Sequence, residues 1–204
     1  TCMTFWAQIS FWILTALVVG QGVLVLGFVL TLLRWRRPLI DDASAPKAAV
    51  ILCLRGGDPF LVDCIRGLLA LDYPSFEVHI VVDHRDDPAN AILNEMLATE
   101  HPDNVFVQFL EYPSETCSLK CSSVVQAASS LDESVGFIAQ LDADTIPHST
   151  WLRELATALA DERVGAATGN RWYMPERVSI AAMVRYIWNA AAVVQMYSYG
   201  IAWG

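Results

Sequence analysis

The run Phe137-Ile138-Ala139-Gln140-Leu141-Asp142-Ala143-Asp144-Thr145-Ile146-Pro147 decides the fold class. Its first part belongs to a short apolar stretch, over 136–141, that predicts a buried strand. Asp142-Ala143-Asp144 comes directly after it with no spacer, so a turn at the strand exit is expected to aim both carboxylates at one site. Asp-x-Asp is common in surface turns, and its position straight after a buried strand is what singles it out. A few hard oxygen ligands suit Mg2+ or Mn2+, which keep coordination positions open for substrate phosphate oxygens. Asp142 and Asp144 are therefore the candidate metal ligands, in a site built to neutralise a departing diphosphate.

The same pattern repeats on both sides of this run. Further buried strands are expected at 49–54, 78–82, 105–110 and 164–168, and helices at 59–70, 88–99, 119–131 and 149–160. Strands alternating with helices of this length predict an α/β fold, with a Rossmann-like, mainly parallel sheet and flanking helices. Ligands of such sheets bind at the carboxyl ends of the strands.

The first strand runs into Arg55-Gly56-Gly57-Asp58-Pro59, where two glycines permit a tight turn close to a ligand. Neither GxGxxG nor GxxxxGK[ST] occurs. The second strand ends in Val82-Asp83-His84-Arg85-Asp86-Asp87-Pro88. Asp83 is placed to accept hydrogen bonds from a uracil or ribose, while Asp86 and Asp87 read as caps of the helix opening at Pro88. Lys120, near a helix start, is a candidate partner for a diphosphate. His79, His84, His101 and His148 are scattered and are assigned no chemistry.

The first charged side chain is Arg34, and 11–33 is almost wholly apolar. Twenty-three residues make roughly 34 Å of helix, enough to cross a hydrocarbon core of about 30 Å. A cleaved signal peptide would have a positive start and a shorter apolar stretch. Arg34-Trp35-Arg36-Arg37 places residues 38 onward in the cytoplasm by the positive-inside rule. The expected organisation is a transmembrane helix with its basic flank over 1–37, a polar linker over 38–47, and a domain over 48–204. From residue 48 onward, 9 Lys and Arg face 20 Asp and Glu, a balance that argues against nucleic acid as a partner. The five cysteines form no CxxC and are expected to be packing residues, although Cys117 and Cys121 are spaced to share a helix face. The apolar stretch 178–204 reads equally as an interfacial helix or as a helix covering the sheet.

Together, Leu71-Asp72-Tyr73-Pro74-Ser75-Phe76-Glu77-Val78, Val82-Asp83-His84-Arg85-Asp86-Asp87-Pro88 and Asp142-Ala143-Asp144 resemble the family 2 glycosyltransferases, in particular their ceramide glucosyltransferase branch. The resemblance implies a GT-A fold behind one N-terminal transmembrane helix. It gives Asp83 to the nucleoside, Asp142 and Asp144 to ribose and metal, and Lys120 to a helix-start lysine. The substrate-binding set expected on this basis is Arg55, Asp83, Lys120 and Asp142, together with Arg171 and Trp172, which lie beyond the expected fifth strand and are aimed at sugar or acceptor. The family also has a catalytic aspartate and a QxxRW motif, which would lie beyond Gly204. The chain is thus read as an N-terminal fragment holding the donor half, expected to bind UDP-sugar weakly without turnover. The implied reaction is an inverting transfer of a hexose from a UDP-sugar to a lipid hydroxyl at the membrane. Alternatives are a processive polysaccharide synthase, a polyprenyl-phosphate sugar transferase, or a truncated membrane protein without catalysis.

Overall fold

The computed structural model describes residues 2–34, 38–169 and 177–199. The chain divides into two compact units, one of Leu39–Ala167 and one of Thr1–Pro38 with Thr168–Gly204.

The first unit alternates β1 (Ala48–Leu54), α2 (Leu61–Leu69), β2 (Phe76–Val82), α3 (Pro88–Glu100), β3 (Val105–Phe109), α4 (Leu119–Ser129), β4 (Phe137–Leu141) and α5 (Trp151–Leu159). The strands form one sheet in the order β3-β2-β1-β4, with every pair parallel. β1 is central, and all of it except Cys53 is buried. A strand covered on both faces must be apolar throughout, and Ala-Ala-Val-Ile-Leu-Cys-Leu satisfies that. On one face, Val50, Leu52, Val78 and Ile80 join a core with α2, α3 and α5. α2 buries Leu61, Cys64, Ile65 and Leu68, the i, i+3, i+4, i+7 stripe of a core-facing helix. On the other face, Ile51 and Val81 pack with Ala127 of α4.

Two expectations are corrected. β3 and β4 are the two edge strands of the sheet rather than buried ones, with Phe106 47% and Ile138 45% exposed. Residues 164–168 form no strand. Their Val-Gly-Ala-Ala-Thr composition is apolar enough to imitate a core strand, yet Gly and Ala offer little side chain to pack on a pleated surface.

The polar stretch 38–47 is folded onto the sheet unit instead of spanning open space. Arg153 of α5 donates from Nη1 to the Ile40 carbonyl at 2.9 Å and from Nη2 to Asp42 Oδ1 at 2.7 Å. The same guanidinium reaches the Asp72 carbonyl at 3.2 Å, and the Tyr73 hydroxyl donates to the Pro46 carbonyl at 2.6 Å. Prolines and aspartates in this stretch suggested a linker because its binding partner lies more than a hundred residues away. Arg153→Met should lower the melting temperature by several degrees, because the carbonyls of Ile40 and Asp72 lose their donor. Asp42→Asn, at an exposed partner, should shift it much less in the same melt.

The second unit contains α1 (Cys2–Arg34) and α6 (Ile180–Tyr199), which pack against each other. Phe5–Arg34 is long and apolar enough to cross a membrane by length and composition, and its residues are not buried within the protein. Trp35, Arg36 and Arg37 of the basic flank lie outside the described residues.

Candidate functional site

Because all four strands are parallel, their carboxyl ends share one edge. β2 and β3 lie on one side of β1 and β4 on the other, so the chain changes direction between β1 and β4. Crevices at such a reversal are where open α/β sheets bind ligands. Leu52 pairs with Leu141 and Leu54 with Val82, so one step further along the strands sets Cys53 beside Asp142 and Arg55 beside Asp83. Register therefore gathers three of the sequence-selected residues at this edge.

Asp142 opens a turn in which the Thr145 amide donates to the Asp142 carbonyl at 3.0 Å. This is the turn expected at the strand exit. The Asp142 side chain is 39% exposed and pairs with Lys120, whose Nζ donates to Oδ1. Thr145 Oγ1 lies 3.3 Å from Asp144 Oδ1, donating to it.

Lys120 sits in the first turn of α4, behind the N-cap Ser118, whose Oγ accepts from the Cys121 amide at 3.2 Å. A helix start carries partial positive charge and unsatisfied amides. Its approach to β1 is close, since Cys53 Sγ lies 3.9 Å from the Lys120 carbonyl. Asp83, only 11% exposed, receives Arg55 Nε at 3.3 Å.

The cysteines report the local field. Burial, then Asp144, Asp58 and Asp142, push the Cys64 thiol up to about 12. Burial also raises Cys53, to about 11, against the opposing pull of Lys120 and with the help of Asp142 and Asp83. Both stay protonated at neutral pH, as packing residues do. Cys117 and Cys121 are exposed instead, and Cys117 precedes the α4 cap, so the two do not share a helix face.

Sequence reasoning missed the support beneath the turn. Cys64 Sγ donates to the Asp142 carbonyl at 3.9 Å, and one turn along α2 a Cβ on Gly67 would lie 3.0 Å from both Pro147 Cδ and the Pro147 carbonyl oxygen. The available signal was a glycine inside an amphipathic helix, which points to close backbone approach.

Asp87 does more than the expected capping. It accepts from the Ala89 amide as N-cap of α3, and both its oxygens accept from the Gly56 amide, at 2.9 and 3.0 Å. Gly56 has φ +81, a conformation glycine adopts without strain. One buried carboxylate thus fixes the loop carrying Arg55. Asp87→Ala should cost about 2 kcal/mol in denaturant unfolding, since it removes a cap and leaves the Gly56 amide without this acceptor. Asp86 is exposed. Arg171 and Trp172 lie outside the described residues.

Among the described residues, no group of three His, Cys, Asp or Glu side chains is arranged to hold a metal ion. The donor set that the turn offers is two carboxylates, which fits a hard cation bound mainly through its substrate's phosphates.

Among solved structures, the chain is similar to TarS residues 1–349 of S. aureus, at 21% identity over 57% of this chain and 33% of that one, with a TM-score of 0.45. The same protein in complex with UDP-GlcNAc matches at 22% identity, over 57% and 32%, with a TM-score of 0.45. The mannosyltransferase PcManGT from Pyrobaculum calidifontis, in complex with GDP-Man and Mn2+, matches at 21% identity over 74% of this chain and 44% of that one, with a TM-score of 0.48. The chain thus spans about a third of the TarS 1–349 structures and under half of the mannosyltransferase. The motif string pointed to family 2 glycosyltransferases; the family whose model matches is glycosyl transferase family 21, over residues 10–202, and the chain belongs to it.

Proposed function

We propose that this chain carries the donor half of a membrane-bound, inverting GT-A glycosyltransferase that moves a hexose from a UDP-sugar to a lipid hydroxyl. The observation that carries this reading is the pairing of Lys120, at the start of α4, with Asp142 at the reversal between β1 and β4. Membership of a glycosyl transferase family supports the reaction class. The apolar α1 supports a membrane location and an acceptor drawn from it, and the basic flank 34–37 supports a cytoplasmic donor site.

Each residue has a role in this reading. Asp83, held by Arg55, accepts from the uracil or ribose. Asp142 serves ribose and metal, and Asp144 completes the carboxylate pair. A bound Mg2+ or Mn2+ supplies Lewis-acid stabilisation of the charge that develops on the diphosphate. Lys120 exchanges its carboxylate partner for a phosphate oxygen as the donor enters, assisted by the amides of the α4 start. That exchange keeps a cation in an acidic edge whether or not donor is present. Arg171 and Trp172 are assigned to the sugar or acceptor. The acceptor's proton goes to a carboxylate base that we assign to none of the described residues.

Calorimetry on the full chain with UDP, with and without Mn2+, tests the donor site. Metal-dependent binding is expected, and heats indistinguishable from dilution in both titrations would sink the assignment.

A further inference from the structure

α6 has a side that its own unit leaves uncovered. Ile180, Met183, Val184, Ile187 and Trp188 are all exposed, with Ile180 at 87% and Trp188 at 76%. Their spacing is i, i+3, i+4, i+7, i+8, which places them on one stripe of the helix. Val178, just ahead, extends the exposed apolar surface. Arg185 is the only charged residue between Val178 and Tyr199, and it falls off the centre of the stripe. Further along, Val193 and Val194 are buried.

The medium covering this stripe is set by the neighbouring helix. α6 packs on α1, whose Phe5–Arg34 stretch is apolar, unburied within the protein and long enough to cross a bilayer. A helix in contact with a spanning helix is held at the level of that bilayer. The stripe from Ile180 to Trp188 covers only about 12 Å of helix, and Arg185, Asn189 and Gln195 interrupt the apolar character of α6. These features suit a helix lying in the interface better than one crossing it.

We propose that α6 is a second membrane contact of this protein, an interfacial helix that sinks Ile180, Met183, Val184, Ile187 and Trp188 into the headgroup–acyl boundary beside α1. Tryptophan is the side chain expected at that depth, with its ring in the apolar layer and its N–H among the headgroups. Arg185 reaches past the ring layer toward phosphates or water. The inference rests on α1 as a span and is independent of the donor-site assignment, so failure of UDP binding leaves it standing.

The experiment places the full chain in phosphatidylcholine nanodiscs whose lipids are brominated either near the headgroup or near the chain ends. The emission difference between wild type and Trp188→Phe isolates Trp188 from the other tryptophans, and far-ultraviolet dichroism confirms that both are folded. Quenching of this difference signal by about half is expected with bromine near the headgroup, less with bromine at the chain ends, and little with aqueous acrylamide. Should Trp188→Phe not fold, Ile187→Trp supplies the reporter on the same stripe, as added emission with the same quenching pattern. Trp188 emission that acrylamide quenches and brominated lipid does not would put the stripe in water. Emission that neither reaches would put it against protein. Either result overturns the proposal.

Discussion

Asp144→Ala should abolish metal-dependent UDP binding while leaving the protein folded. The Asp144 side chain is exposed, at the tip of a turn, and lies outside both hydrophobic clusters. Its loss should therefore shift the melting temperature little. Binding should respond sharply, because in the proposed reading the substitution removes one of the two carboxylates assigned to the divalent ion. A loss of about 100-fold in UDP affinity in the presence of Mn2+, equivalent to about 2.8 kcal/mol, is expected by calorimetry. Asp144→Asn keeps one neutral oxygen and should fall between the two. In the absence of metal, all three proteins should look alike. Undiminished Mn2+-dependent binding by Asp144→Ala would remove this residue from the site.

Gly67→Ala should uncouple stability from binding. Alanine in the last turn of α2 gains up to about 1 kcal/mol of helix propensity over glycine. Its Cβ meets Pro147 Cδ and the Pro147 carbonyl at 3.0 Å, and relief of that contact costs about 1–3 kcal/mol. The two terms offset in part, so a thermal melt should show a net loss of no more than about 2 kcal/mol. At the site there is no such offset, because the atoms that must yield belong to the segment carrying Asp142 and Asp144 over α2. Donor groups need placement to about 0.5 Å, so a roughly tenfold loss of Mn2+-dependent UDP affinity is expected. Pro147→Ala in the same chain removes the ring side of the contact and should restore part of the affinity. Wild-type affinity in Gly67→Ala would show that α2 does not position the turn. Loss of affinity in proportion to loss of stability would reduce Gly67 to an ordinary packing position.

β1 and β2 were legible because they are covered on both faces, and β4, at the sheet edge, because its run is apolar apart from Gln140. β1, β2 and β4 begin and end within two residues of where their apolar runs place them, and Asp83 and Asp142 come directly after β2 and β4. α3 was legible for a different reason, since Asp87-Pro88 is a cap followed by the residue best suited to the first helical position. Composition misled where small residues were involved. Val164-Gly165-Ala166-Ala167-Thr168 has the hydropathy of a strand without the bulk, and 38–47 has the composition of a linker without its freedom. Long-range support was not readable at all. Gly67 beneath Pro147, Asp87 on the Gly56 amide and Arg153 on the Ile40 carbonyl each join positions far apart in sequence, and nothing local marks the partner.

The position of β4 beside β1 also sets the order in which the molecule is made. That pairing joins Ala48 to Phe137, whereas β1 to β2 joins Ala48 to Phe76. On the ribosome, β1, β2 and β3 can associate while the last strand is still being synthesised, and for that interval β1 offers an open, wholly apolar edge to any passing strand. Loop-closure entropy makes the β1–β4 ladder the slower step as well. The acidic edge therefore comes into being last, and Lys120 waits at the start of α4 for a carboxylate not yet delivered. A nascent chain that has formed the Lys120–Asp142 pair has already closed its most vulnerable edge.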